Sequence, residues 1–295
     1  MDLASFLAEE RERIDGALDR LLPAADAWPG RLHEAMRYAV FGGGKRVRPV
    51  LARAACRAAG GDAESILESV CALEMVHTYS LIHDDLPALD DDTLRRGRAT
   101  VHVAFDEALA ILAGDALLTE AFVVLGRFPD GHAFASRRAD ACRVVAEAIG
   151  SRGMVGGQVE DLEATRAAPD GDRLRRIHGA KTGALLGAAA ELGALLAGAS
   201  AGSRAAFALF GRRLGLLFQV VDDILDATGS AASLGKSPGK DAAAGKLTYP
   251  AVYGLDATRR ERDALAGSLG EEAQRLEGGE GTLSALVAFV ARRDR

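Results

Sequence analysis

Lysine is nearly absent from this chain, with five residues against 31 arginines, and the net charge is −6. That balance excludes the basic footprint of a nucleic-acid-binding domain. The acidity is too modest to impose disorder on a chain of 48% hydrophobic residues. Cysteine is sparse too. Cys56, Cys71 and Cys142 are scattered and odd in number, which excludes a disulfide framework, shows no metal spacing and fits a reducing cytosol. No strand-like alternation of any length occurs. Met1 to Arg13 is charged and has no apolar core, so no secretory leader is expected there. The nearly charge-free stretch Thr182 to Ala201 is about as long as a membrane span. It is mostly Ala and Gly with Glu191 in its middle, so a buried, tightly packed helix is expected and no integral membrane segment.

What is present is helical periodicity rich in Ala, Leu, Glu and Arg. Breakers punctuate it at Pro23, Pro29, Gly42-Gly43-Gly44, Gly60-Gly61, Pro129-Asp130-Gly131, Pro169-Asp170-Gly171 and Ser237-Pro238-Gly239. About ten to thirteen helices fit between them. No linker or repeat divides the chain, so one all-α domain over 1–295 is expected, with its active cleft within a helical bundle.

Two aspartate clusters carry the chemistry. The first reads Asp84-Asp85-Leu86-Pro87-Ala88-Leu89-Asp90-Asp91-Asp92 and the second Asp222-Asp223-Ile224-Leu225-Asp226, each behind an apolar, helix-like segment. Carboxylates this dense repel one another unless cations neutralise them. Mg²⁺ does so with oxygen ligands and joins one or two carboxylates to substrate phosphates. An acidic helix end exposed to water explains either cluster alone; two clusters behind apolar helices point to metal-held diphosphate. Gln219, Asp222, Asp223 and Asp226 sit at i, i+3, i+4 and i+7 on one helical face. Asp84 and Asp90 would lie about 240° apart on an ideal helix, but Pro87 should break it after Asp84.

Basic segments recur beside the acids. Gly42-Gly43-Gly44-Lys45-Arg46-Val47-Arg48-Pro49 joins a flexible loop to a helix start and could clamp an anion. Arg95-Arg96-Gly97-Arg98 follows the first cluster; simple charge balance is its plain alternative. Lys181-Thr182-Gly183 interrupts an apolar helix, where a lone lysine is costly without a partner. Gly235-Lys236-Ser237-Pro238-Gly239-Lys240-Asp241 and then Lys246 follow the second cluster.

In this order, along essentially the whole chain, the motifs resemble those of the trans-isoprenyl diphosphate synthases, and among them the bacterial farnesyl diphosphate synthases. The resemblance rests on the Gly-Gly-Lys-Arg-x-Arg-Pro segment at 43–49 and on the long-form first aspartate motif. It continues through Leu94-Arg95-Arg96-Gly97, Gly114-Asp115-Ala116-Leu117-Leu118, Gly156-Gly157-Gln158, Lys181-Thr182-Gly183, Phe218-Gln219 to Asp226, and Lys246-Leu247-Thr248-Tyr249-Pro250. It implies the all-α isoprenoid synthase fold, a cytoplasmic homodimer and three Mg²⁺ ions. Asp84, Asp90 and Asp222 resemble the principal Mg²⁺ ligands, supported by Asp85, Asp223, Asp226 and Asp241. Arg95, Lys181, Lys236 and Lys246 look like contacts to the allylic diphosphate; Lys45, Arg48, His77 and Arg96 look like the isopentenyl diphosphate site. Thr182 and Gln219 would turn oxygen dipoles to the allylic cation.

Tyr79 lies five residues before Asp84, about 7–8 Å along a helix, where its ring could floor the pocket for the growing tail. In the family an aromatic at this position accompanies a C15 product and small residues accompany C20; simple packing is the alternative role. Ser80 is small, which argues against stopping at C10. Farnesyl diphosphate is therefore the expected product, and geranylgeranyl diphosphate the nearest alternative. A terpene cyclase is disfavoured because its second motif carries Asn, Ser and Glu. An inactive partner subunit would lack aspartates or basic clamps that this chain retains. Ala99 stands where relatives usually have proline, and Arg292-Arg293-Asp294-Arg295 resembles the basic tail that closes over the site in relatives, with a solvated chain end as the plain alternative.

Overall fold

The computed structural model describes residues 3–165, 168–228 and 245–293. About 12 helices and one minimal hairpin account for the described residues, as the periodicity and breakers predict. They group into two compact units, Met1–Arg53 with Glu64–Cys142, and Ala54–Ala63 with Arg143–Arg295.

In the first unit, α1 (Leu3–Leu21) buries Ile14, Ala17 and Leu18 at helical spacing. The helices α2 (Gly30–Val40) and α3 (Val47–Ala58) flank the Gly-rich segment. The central element is α4 (Leu67–Asp84), whose apolar residues are buried almost all round, as a core helix requires. Its polar Glu74 is neutralised by buried Arg46, which also reaches Asp15; both contacts are 2.7 Å. Arg53 forms a similar buried pair with Glu10 at 2.6 Å. A hairpin of β1 (Leu94–Arg95) and β2 (Arg98–Ala99) pairs Leu94 with Ala99, and the Ala99 carbonyl accepts the Tyr38 hydroxyl at 2.8 Å. After α5 (Val101–Ala104), Asp106 caps α6 (Glu107–Arg127) by accepting the Leu109 amide at 2.7 Å.

In the second unit, α7 (Ala135–Ile149, entered from the first) leads to α8 (Met154–Ala164) and α9 (Gly171–His178), a π-helical turn (Gly179–Gly183), α10 (Ala184–Ala197) and the long α11 (Ala201–Thr228). Glycines set how closely α10 and α11 pack. A Cβ on Gly211 would collide with the Leu186 carbonyl, and one on Gly215 would come within 2.6 Å of the Gly183 Cα. Within the expected buried helix, Glu191 is paired with Arg204 at 3.1 Å. Two helical stretches, Glu107–Arg127 and Gly171–Ala197, are long and apolar enough to cross a membrane by length and composition; the second is 67% buried in the protein. Three helices close the chain: Tyr249–Tyr253, Leu255–Glu277 and Thr282–Ala291.

Candidate active site

The first aspartate cluster begins where α4 ends. Pro87 has no amide hydrogen to continue the helix, and the chain folds back in a turn. The Asp90 amide donates to the Asp84 carbonyl at 2.9 Å and the Asp92 amide to the Asp85 carbonyl at 3.2 Å, with Asp91 in a left-handed conformation at φ 50°. This turn puts Asp84 and Asp90 side by side, both half-buried, while Asp85 and Asp92 are buried. Arg95 grips the Asp85 carboxylate through Nε at 2.8–2.9 Å and Nη2 at 2.6 Å. Asp85, expected as a supporting metal carboxylate, thus holds Arg95, and Arg95, expected on the allylic diphosphate, is braced by Asp85.

The expected isopentenyl diphosphate residues converge in the same unit. Arg96 donates to the Gly43 carbonyl, and its guanidinium fills the space that a side chain on Gly44 would need. Burial first, then the charges of Arg48, Arg96, Arg95 and Arg46, hold the His77 imidazole well below the usual range. Lys45 is exposed and Arg48 half-buried. Arg46 of the same motif is buried at φ 52° and spends its guanidinium on Asp15, Glu74 and the Val40 carbonyl. It therefore shapes the loop that presents Lys45 and Arg48.

Tyr79 is 6% exposed, and burial, then the charge of Asp84, pushes its phenol up to about 12. Its ring meets His83 edge-on at 5.7 Å. The His83 Nε2 lies 3.2 Å from the Ile111 carbonyl of α6, over Gly114, where a Cβ would collide with the imidazole. The sequence offered no reason to single out His83; the glycine opposite it was the available signal. Ser80 is buried and donates to the His77 carbonyl at 2.8 Å.

In the second unit, Lys181 sits in the π-helical turn with Thr182 buried beside it. Its ammonium pairs with Asp161 at 2.7 Å, the partner that a lysine in an apolar helix demands. Asp161 follows Gly156-Gly157-Gln158 by three residues, and a Cβ on Gly157 would collide with the Lys181 backbone. That glycine motif therefore lets α8 abut the lysine. On α11, Gln219 donates to Asp222 at 3.3 Å, and Asp222 also pairs with Arg293, whose guanidinium lies 4.0 Å from the Phe218 ring. Asp226 is half-buried on the same helix. Asp223 is 8% exposed and accepts the Tyr249 amide at 2.8 Å. Lys246 is half-buried, three residues before Tyr249. Lys236, Lys240, Asp241, Asp294 and Arg295 lie outside the described residues.

Among the described residues, no three His, Cys, Asp or Glu side chains form a ready cage for a metal ion. Each unit does bring acidic oxygens next to fixed cations, an arrangement that can hold a polyanion through charge-assisted hydrogen bonds.

The polyprenyl synthetase family profile matches residues 29–280. The chain is 44% identical over 296 residues to geranylgeranyl pyrophosphate synthase 11, chloroplastic, of Arabidopsis thaliana, covering 99% of this chain and 82% of that one. It is 43% identical to the chloroplastic geranylgeranyl pyrophosphate synthase of Capsicum annuum, covering 98% and 78%. Among solved structures, an FPP/GFPP synthase from Zymomonas mobilis superposes with a TM-score of 0.84 at 36% identity, covering 99% of this chain and 98% of the other. A geranyltransferase from Helicobacter pylori, complexed with magnesium and isoprenyl diphosphate, gives 0.85 at 28% identity, covering 98% and 96%. The chain therefore belongs to the polyprenyl synthetase family: it is a trans-isoprenyl diphosphate synthase, a prenyltransferase acting on isoprenyl diphosphates.

Proposed function

We propose that the enzyme is a farnesyl diphosphate synthase. It condenses isopentenyl diphosphate with dimethylallyl diphosphate and then with geranyl diphosphate, and stops at C15. The observation that carries the product length is Tyr79, a buried ring five residues before Asp84, backed by His83. Each added isoprene unit lengthens the tail by roughly 5 Å, so a fixed ring about 7–8 Å before the aspartate end of α4 limits how many units fit.

In this reading Lys181, Lys246, Lys236 and Arg95 bind the allylic diphosphate. Lys45, Arg48, His77 and Arg96 bind isopentenyl diphosphate. The allylic C–O bond breaks, and the cations act where charge develops on the leaving oxygen. The double bond of isopentenyl diphosphate then attacks the allylic carbon, and the released diphosphate removes a proton to restore a double bond. Thr182 and Gln219 turn oxygen dipoles toward the cation, and the apolar walls keep water from capturing it.

Mg²⁺ suits the donors present. Asp84 and Asp90 are half-buried carboxylates drawn onto one turn, and Asp222 already accepts a guanidinium, while Mg²⁺ takes one or two carboxylates with phosphates and waters. Asp84, Asp90 and Asp222 would hold it, three ions in all, with Asp226 in support. When bound, it supplies Lewis-acid stabilisation of the departing diphosphate. A homodimer fits the outward face of α6, where Leu112 and Val123, about three turns apart, are 55% and 52% exposed and Ile111 beside them is 45% exposed, an apolar surface that a second copy would cover.

The second reading is a geranylgeranyl diphosphate synthase, favoured by the names of the plant relatives above. Purified enzyme incubated with Mg²⁺, isopentenyl diphosphate and each of dimethylallyl, geranyl and farnesyl diphosphate separates the two. Farnesol after dephosphorylation, with farnesyl diphosphate left unextended, supports the C15 reading; geranylgeraniol replaces it with the C20 one. No condensation with any starter would favour an inactive subunit.

A further inference from the structure

Asp222 and Asp223 are adjacent in sequence and differ in what they do. The Asp222 side chain is 37% exposed, and its oxygens meet Gln219 and Arg293. Asp223 is buried, and its Oδ2 accepts the Tyr249 amide at 2.8 Å, 26 residues along the chain. That amide is one of the N-terminal donors for which a helix has no internal partner. The neighbouring donors of Tyr249–Tyr253 are accounted for without Asp223: Pro250 has none, and Thr248 serves the next two, its Oγ1 taking the Ala251 amide at 3.4 Å and its carbonyl the Val252 amide at 3.0 Å. The contact thus fixes where the segment Lys246-Leu247-Thr248-Tyr249 is pinned to α11.

Two further observations meet at the same carboxylate. Leu247 and Tyr249 are buried with Leu174, Val220 and Ile224, while Lys246 and Thr248, alternating with them, are half-buried. The backbone on the C-terminal side of Lys246 is therefore anchored by packing as well as by Asp223. On the other side His178, the last residue of α9, is 6% exposed, with its ring 5.6 Å from Tyr249 and its Nε2 3.9 Å from Asp223 Oδ2. Its Nδ1 has no hydrogen-bond partner among the described residues. Lys181 follows His178 by three residues.

We propose that Asp223 is a positioning residue: its carboxylate ties the Lys246 segment to the second aspartate cluster, and so sets where Lys246 meets the allylic diphosphate. This rests on the role given to Lys246 above and not on product length. What Asp223 contributes is an acceptor for a backbone amide, and a neutral amide side chain supplies the same acceptor.

Asp223→Asn and Asp223→Ala separate this role from a ligand role. Binding of dimethylallyl S-thiolodiphosphate, which does not ionise, is titrated calorimetrically beside steady-state kinetics. Losing a hydrogen bond between a charged group and a buried amide weakens what it holds by about 10- to 100-fold. Asp223→Ala is therefore expected to raise the allylic KM and the analogue Kd by about tenfold or more, with the isopentenyl diphosphate KM unchanged. Asp223→Asn should restore both to within about threefold, with an unchanged Mg²⁺ requirement. Added to Lys246→Ala, Asp223→Ala should cost little more, because both changes remove the same contact. An Asn variant as damaged as the Ala variant, with a raised Mg²⁺ requirement, would overturn the proposal in favour of metal binding. Unchanged allylic affinity in Asp223→Ala would overturn it outright. Lys246→Ala with unchanged allylic affinity would remove its premise, and the product assay above, which does not depend on Asp223, then tests the functional reading separately.

Discussion

The Asp90 amide donates a hydrogen bond to the Asp84 carbonyl at 2.9 Å. On an uninterrupted helix these residues would face directions about 240° apart; the turn around Pro87 makes them neighbours. Asp85 is engaged by Arg95, and Asp84 lies half-buried at the end of α4. Asp84→Ala is expected to lower kcat by about 10²- to 10³-fold, the scale of losing a main electrostatic contribution to the transition state. The circular dichroism spectrum and melting temperature should stay close to those of the parent, since Asp84 is a half-buried helix-end residue. Near-normal turnover would remove it from the metal set.

Tyr79 is held from behind. His83 meets its ring and is in turn seated over Gly114 against the Ile111 carbonyl. Tyr79→Ala removes the ring and leaves that backing in place, so the pocket should deepen. The product is expected to shift from C15 toward C20 or longer, read by sizing the dephosphorylated alcohols. A variant that still stops at C15 would place the floor elsewhere. Core truncation of a buried aromatic costs about 3–5 kcal/mol, so Tyr79→Ser and Tyr79→Met should be assayed beside it, with Met expected to change product length least.

His77 gives the enzyme a pH signature. Burial and then the charges of Arg48, Arg96, Arg95 and Arg46 hold its imidazole well below 6.5. It is neutral throughout the physiological range, and the KM for isopentenyl diphosphate should carry no inflection near pH 6.5 from this group. The stability consequence has a definite sign. As pH falls through 6.5 the unfolded chain takes up a proton at His77 that the folded protein refuses, so stability falls on acidification, with a slope of at most about 1.4 kcal/mol per pH unit. Urea midpoints measured at pH 7.5 and pH 5.5 should differ less in His77→Gln than in the parent. An equal difference in both proteins would mean that His77 does not resist protonation.

The helical fold and the second aspartate cluster were legible because both rest on local rules. Breakers bound the helices, and the spacing of Gln219, Asp222, Asp223 and Asp226 is a helical repeat. The first cluster was only half legible: Pro87 announces the end of α4, but the return of Asp90 to Asp84 depends on a turn with Asp91 at positive φ, which no periodicity encodes. Partners distant in sequence were not legible at all. Lys181 called for a carboxylate without saying that Asp161 supplies it. Asp223 looked like a supporting metal carboxylate beside Asp222, with no sign in the sequence of the Tyr249 amide on it; Arg46 looked like a third cation of the clamp with Lys45 and Arg48 until Glu74 and Asp15 were found to neutralise it. In each case the sequence showed that a charge needed compensation, and tertiary packing chose the compensator.

The pairing of Arg293 with Asp222 leads to the last prediction. The Arg293 side chain is 10% exposed, held between the carboxylate and the Phe218 ring 4.0 Å away. A guanidinium and a hard cation both require the oxygens of Asp222, so ion binding there has to work against the arginine. Removing the arginine leaves the carboxylate with one fewer competitor and a more negative surrounding. Arg293→Gln is therefore expected to lower the Mg²⁺ concentration for half-maximal activity by about 3- to 10-fold, within the range of one charge-assisted hydrogen bond at a partly solvated site. Direct Mn²⁺ titration followed by electron paramagnetic resonance should show the same tightening without substrate, where turnover cannot enter. The effect should shrink as salt rises, because screening weakens the arginine's competition. If Arg293→Gln instead leaves ion affinity unchanged, the guanidinium yields to the metal at no cost, and its contact with Asp222 sets only where the end of the chain rests.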